Sequence, residues 1–441
     1  MSFTVFPGFS SRVDATIVGT PTVSISGTST VSLSGTPNVK NNFLDTSLDP
    51  FGRLYTSIPF ILFDSKMLKD VSALYWDDAV VSGSGTASTY NTNQSSVTIS
   101  VSTNTAGHRL RQTKHYFNYQ PGRGHTIMLT GILGVTTTGI TSRLGYFDDE
   151  NGLFFQSASG TISVVRRTFV TGSAVDTGIA QSSWNLDKLN GSGTSGITVD
   201  FSNTQIFIID FQWLGTGRVR FGFNINGILY WCHQITNANS LTTVYMTNPN
   251  LPVRYSIQNN GTGVASSILQ ICCVVISENG NNFTGISRSI DRGLTSLVTA
   301  NTDGLYYPLL AIRLNSSYKH SRVDISRIAI LCTSTASYHW IISINPTIVG
   351  TALSFSQLTN SSIDYAIPTN ATTITATTGT VVSSGYNTQG ATAPALDLIA
   401  IGQVRLGSTY AGVFDYVTLS ISRITGTTET FYAAMGIQEQ Y

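Results

Sequence analysis

No run of 12 residues in this chain carries its apolar side chains at a helical period. Apolar residues instead recur at every second position in short runs, such as Val219, Phe221, Phe223 and Ile225. That spacing puts one face of an extended strand against a core and the other toward solvent. Between the runs lie the turn signals DDENG, NING, NNGTG and ENGNN. Closely spaced strands separated by Gly/Asn turns predict antiparallel sheets packed face to face, an all-β sandwich or jelly roll. With 441 residues there is chain enough for two or three such cores.

One hairpin can be read in detail. Val219, Phe221, Phe223 and Ile225 face one way, and Arg218, Arg220 and Asn224 the other. Asn226-Gly227 supplies two residues that accept positive φ, and Ile228, Tyr230 and Cys232 continue on the return strand. This pattern predicts a hairpin at the centre of the sandwich.

The N-terminal region carries a short repeat. Residues 19–26 read GTPTVSIS, 27–34 read GTSTVSLS, and 35–39 begin a third copy, GTPNV. Each unit alternates at period two, and Gly-Thr-Pro breaks the strand. A single ribbon of this kind cannot bury its own apolar face, because repeats need stacked neighbours. Residues 1–45 are therefore expected to form an extended attachment and oligomerisation arm. Val23, Ile25, Val31, Leu33 and Val39 are its contact residues. Each eight-residue unit reaches at most about 27 Å. Three such ribbons can shelter their apolar faces around one axis, so a homotrimer is expected.

Residues 46–82 are dense in large apolar side chains and read as an anchor segment, with Phe51, Phe60 and Phe63 as its main contacts. SKMLKDV is the one stretch where a short helix is expected. Residues 83–340 read as the sandwich body. Beyond residue 340 the chain turns rich in Thr, Ser, Ala and Ile, so 341–441 is expected to be a smaller C-terminal β-domain.

Charge separates the function classes. Only 11 % of residues are charged, with 24 Lys+Arg against 23 Asp+Glu. An ordinary soluble domain has about 25 %. A surface of Ser, Thr, Asn and Gly suits a chain packed against neighbours. Near-zero net charge argues against coating nucleic acid, which calls for a basic excess. A hydrophobic fraction of 41 % is too high for a disordered chain.

Signatures of chemistry are weak. GSGTSG at 191–196 has no following helix, so it reads as a plain loop. Asp148, Asp149 and Glu150 read as a solvated hairpin tip rather than catalytic or calcium-binding carboxylates. The six histidines are not at metal-ligand spacing, and Cys232, Cys272, Cys273 and Cys332 have no CxxC spacing. The cysteines read as small buried hydrophobes in a protein assembled in a reducing cytoplasm. Arg166, Arg167, Arg218 and Arg220 read as strand-face arginines that pair with carboxylates or cover aromatics. Trp184, Trp213 and Trp231 are the candidates for sugar stacking. No cofactor, metal or catalytic residue is expected. The start, MSFTVFPGFSSR, lacks the charge-then-apolar pattern of a signal peptide, and no stretch is long and apolar enough for a membrane span.

Two blocks carry a resemblance. DPFGRLYTSIPFILFDSKM, residues 49–67, resembles a segment of virion structural proteins from tailed bacteriophages, including marine and cyanobacterial ones, with Tyr55 where that segment usually has Arg. KHYFNYQPGRGHTIMLTGILG (114–134) and the chain up to VRYSI resemble the body of the same proteins. The likeness covers about residues 20–340 and implies a particle component, with no catalytic residues to carry over. It implies a capsid decoration, cement or fibre-type protein in the virion, partnered by capsid or tail proteins, with no membrane. The alternatives are a receptor-binding tip recognising host surface glycans and, third, a polysaccharide depolymerase.

Overall fold

A computed structural model of the chain describes residues 58–278, 285–333, 336–387, 405–424 and 426–440. Val23, Ile25, Val31, Leu33, Val39 and Phe51, with the whole repeat arm, lie outside the described residues.

The described chain is all-β, as the alternation requires. Its first half is a sandwich of two antiparallel sheets. One sheet runs, edge to edge, Ile228–Ile235, Val219–Ile225, Gln205–Phe211, His125–Ile132, Ser266–Glu278, Ser96–Val101 and Thr86–Asn91. Pro59–Lys66 pairs with the C-terminal half of Ser266–Glu278, in line with Ser96–Val101 on the N-terminal half. The facing sheet runs Val175–Ala180, Thr161–Thr168, Gly152–Ala158, Ile140–Phe147, Val253–Asn259, Gly107–Thr113 and Trp76–Gly83. Inward-facing residues of both sheets make one core. Its centre is an aromatic web in which the Phe155 ring lies 5.1 Å from Phe207, 5.4 Å from Phe221 and 5.2 Å from Phe223.

A second sandwich follows. Glu429–Gln440 is the central strand of its smaller sheet, with Arg322–Cys332 on one side and Ile286–Asp291 and Val298–Ala300 on the other. The larger sheet runs Ser356–Gln357, Ile363–Ala366, Tyr307–Leu314, Tyr416–Arg423, Tyr338–Ile344 and Thr380–Asn387. Leu310, Ile312, Leu419, Phe431, Met435 and Ile437 lie in a separate core.

Several expectations change. The first core reaches Val275 and the second begins at Ile290, so the division does not fall near 340; Tyr307–Leu314 and Tyr338–Ile344 flank Tyr416–Arg423 in one sheet, so the composition shift falls inside the second sandwich. The 46–82 stretch is not a separate anchor over its described part, because Pro59–Lys66 and Trp76–Gly83 are strands of the two facing sheets. Phe63 packs on the first core, 5.1 Å from the Phe117 ring, while Phe60 is 43 % exposed on an outer face. SKMLKDV forms the end of a strand followed by bends, not a helix. The Asn226-Gly227 hairpin forms as read, with φ of 53° and 84° at the turn. It sits at the sheet edge rather than the centre, and a bulge at Cys232 offsets its register.

The loop 405–416 reaches back from the second sandwich to the first. Ser408 N donates to Lys114 O at 3.0 Å, and Tyr410 N donates to Asp77 Oδ2 at 2.7 Å. His115 Nε2 meets Arg405 O at 2.7 Å, and Asn250 Nδ2 donates to His320 O at 3.2 Å. A Cβ at Gly407 would stand 2.8 Å from Lys114 O, so this approach needs glycine there.

One charge sits inside the first sandwich. Arg111 is 1 % exposed and donates across the layers from Nε to Gln270 Oε1 at 2.8 Å. Its Nη1 reaches Asp78 at 3.2 Å and its Nη2 the Val71 carbonyl at 2.7 Å. Removing one member of a buried polar set costs more than replacing the set. Arg111→Met is therefore expected to lose about 3 to 5 kcal/mol in urea unfolding. Combining it with Gln270→Leu is expected to cost less than the two single losses together.

Candidate functional site

Where the sandwiches meet, a polar cleft of about 240 Å³ opens. The first sandwich supplies Gln112, Asp149 and Arg254, and the second supplies Ser316, Lys319 and Tyr410.

Strand alternation places the first set. Val253, Tyr255 and Ile257 point into the core, so Arg254 points out, beside Gln112 on the neighbouring strand. Two side chains hold its guanidinium. Nε and Nη2 donate to Gln112 Oε1 at 3.0 and 2.6 Å, and Nη1 donates to Asp149 Oδ1 at 2.5 Å. The Phe147 and Tyr410 rings lie 5.2 and 5.5 Å from its central carbon. Burial alone raises the Asp149 carboxyl, but the Arg254 charge and hydrogen bond override it and hold the group below its ordinary value. Burial, then the Asp149 charge, raises the Tyr410 phenol, so it stays protonated and bonds to that carboxylate.

The same outer face carries two more arginines. Arg167 grips Asp176 through Nε and Nη2 at 2.7 and 2.9 Å and covers the stacked Phe147 and Phe154 rings. Arg143 Nε donates to Gln156 Oε1 at 2.7 Å. Burial, then the charges of Arg143 and Arg254, lower nearby His108 to about 4. On the opposite wall, Lys319 Nζ sits 5.7 Å from the Tyr116 ring centre, and no carboxylate partner is described for it. The Tyr116 ring in turn meets His320 edge-on at 4.6 Å.

The acidic turn has a different role from a solvated tip. Asp148 is 1 % exposed, and its Oδ1 accepts the backbone N–H groups of Glu150 and Asn151, closing the hairpin between Ile140–Phe147 and Gly152–Ala158. Asp149 then points into the cleft. Glycoside hydrolysis calls for a carboxylic acid held protonated opposite a second carboxylate. Asp149 is shifted the other way, so it does not fit the part of the protonated acid.

The remaining candidates are structural. The 191–196 loop is organised by Asp187, whose carboxylate accepts Leu189 N at 2.9 Å and Ser195 N at 2.7 Å. Trp184 is buried and donates to Ile179 O, Trp213 donates to Met246 O, and Arg220 stacks 4.1 Å over Trp231. Arg220 also pairs with Asp210, and Arg166 bonds to Asn237. Cys232 and Cys273 are buried, but Cys272 and Cys332 are only half-buried. Among the described residues, no three His, Cys, Asp or Glu side chains are grouped to hold a metal, and no helix is long and apolar enough to cross a membrane. Of the predicted contact residues, Phe60 and Phe63 are described, and neither lines the cleft. Apart from Asp149, which reads from sequence as a solvated tip, the cleft residues escape sequence reasoning because each lies in an ordinary strand or turn. Arg254, a lone charge in the run VRYSIQN, is the one local hint.

No family model matches the sequence, and comparison with curated proteins returns no match. Solved structures do align. A beta-1,3-glucanase from Mycobacterium marinum aligns at 13 % identity and TM-score 0.33, over 49 % of this chain and 98 % of its own. A glycosyl hydrolase family 16 protein from Mycobacterium smegmatis gives 12 %, 0.32, 49 % and 100 %. A legume lectin-like domain from Entamoeba histolytica gives 12 %, 0.27, 46 % and 90 %. No activity is carried over on similarity of this size.

Buried histidines set a pH dependence. Burial lowers His115 to about 4 and His125 to about 3. Unfolded, both titrate near 6.5. The unfolded chain thus binds more protons below that value, and stability present above it is lost as pH falls toward the folded values. At pH 5 each is expected to cost about 2 kcal/mol relative to pH 7. Melting temperatures across pH 7 to 4.5 check this, and His125→Leu is expected to flatten the decline.

Proposed function

We propose that the chain is a structural component of a virus particle, a decoration, cement or fibre-type protein. Residues 1–45 attach it and the two sandwiches are the part presented. The observation that supports this most is the use made of charge. In a chain with few charged residues, many carboxylates are paired with arginines of the same fold. Asp78 pairs with Arg109 and Arg111, Asp149 with Arg254, Asp176 with Arg167, Asp210 with Arg220, Asp364 with Arg313 and Glu439 with Arg288. Within those pairs, charge serves cohesion. With only 11 % of residues charged, hydroxyls and amides make up much of the polar surface, which suits permanent packing against other subunits. The phage-virion resemblance of residues 49–67 and 114–134 points to the same setting. The repeat arm, with its Val/Ile/Leu stripe, is the natural attachment element, and three such ribbons can enclose that stripe around one axis, which favours a trimer.

Replacing Val23, Ile25, Val31 and Leu33 by Ser in the full chain tests this reading. Incorporation into particles is expected to fall at least tenfold, and sedimentation to shift from trimer to monomer. The melting temperature of the sandwiches is expected to hold. Undiminished incorporation would overturn the assignment of the arm, and absence of the protein from purified particles would overturn the reading itself.

A further inference from the structure

We propose that the cleft between the sandwiches binds one carboxylated sugar residue of the hexuronate class. Its carboxylate lies toward Lys319 and Arg254, and its ring lies against Tyr410. This goes beyond a structural role and does not depend on it.

Charge selects the class. The lining holds two cations, Arg254 and Lys319, and one carboxylate, Asp149. Arg254 and Asp149 neutralise each other at 2.5 Å, which leaves one positive charge. A ligand with one negative charge balances that count. Inorganic phosphate or a phosphate ester brings up to two charges and meets Asp149 as a repelling neighbour. Asp149 is 58 % exposed and offers acceptor capacity to the cleft. A sugar hydroxyl can donate to it. A neutral sugar satisfies Asp149 but leaves Lys319 without a counter-charge.

Shape and surface agree. The volume of about 240 Å³ lies below the roughly 300–1,000 Å³ of sites for drug-sized ligands, and suits a single ring. Ser316, Ser408 and Thr409 stand on the second sandwich's wall as hydroxyl partners for a polyol. Arg254 is itself almost fully buried. Three bonds of its guanidinium are described, to Gln112 and Asp149, and a guanidinium carries five N–H groups. The site is also built before any ligand arrives. Tyr410 is pinned through its backbone N–H to Asp77, and Ser408 through its N–H to Lys114 O. Little ordering remains for binding to impose.

Titration calorimetry on the full chain tests this with glucuronate, a short oligosaccharide ending in glucuronate, glucose and inorganic phosphate. Glucuronate is expected to bind saturably, at least tenfold more tightly than glucose or phosphate. Tighter binding of the oligosaccharide identifies a polymer end as the source, and equal binding identifies the free acid. Lys319→Gln is expected to bring glucuronate down to the glucose level with an unchanged melting temperature, and Lys319→Arg to restore it. The proposal is overturned by absence of saturable glucuronate binding, by equal affinity for glucose, by phosphate binding as tightly, or by Lys319→Gln leaving glucuronate affinity intact. Binding is read on isolated protein, so these outcomes are independent of whether the chain joins a particle.

Discussion

The docking of the 405–416 loop onto the end of the Gly107–Thr113 strand decides what the molecule can present. Each sandwich has a core of its own, so neither needs the other to bury its apolar face. What joins them there is polar and directional: backbone bonds from Ser408 and to Arg405, and Asp77 receiving the Tyr410 N–H. Bonds of this kind fix orientation where apolar contact alone permits sliding. Lys114 and Asp415 add a looser ion pair at 4.0 Å. Burial raises the Asp415 carboxyl despite that cation and the Asn345 hydrogen bond.

How much of this could be read from the sequence follows from the range of each interaction. Alternation is local, so the strand class and the Asn226-Gly227 hairpin were legible residue by residue. Sheet order is not local. The Val219–Ile235 hairpin has the same pattern at an edge as at a centre, and only its pairing with Gln205–Phe211 places it. The domain boundary failed for the same reason. Glu429–Gln440 pairs with Ile286–Asp291 and Arg322–Cys332, both far earlier in the chain. No compositional trend reports that pairing. The cleft was the least legible part. Its residues come from positions 112, 149, 254, 316, 319 and 410, and only the fold brings them together.

Buried polar groups show a second regularity. Arg111 crosses the first sandwich to Gln270, and Glu439 in the second accepts from Ser361, Ser362 and Arg288. In Glu439, burial raises the carboxyl and the Ser362, Arg288 and Ser361 donors more than reverse it. Each sandwich thus encloses a charge that only one register of its strands can satisfy. Apolar alternation tolerates a slip of two residues, because the same face stays inward. A buried charge does not, since the slip strands it without partners.

The same logic links the structural reading to the cleft. A particle protein gains by keeping its charges inside and its surface neutral, because every unpaired charge must be desolvated when neighbours pack against it. Lys319 departs from that economy. It stands on the wall of an enclosed polar space, facing an aromatic ring rather than a carboxylate. Arg143 is treated differently: burial and then the Arg167 charge lower it to about 10, and a glutamine oxygen satisfies it. Where cohesion is the purpose, this fold supplies a partner within reach. A cation left facing a cleft, between a fixed loop and an arginine already committed, is placed for a partner that arrives from outside.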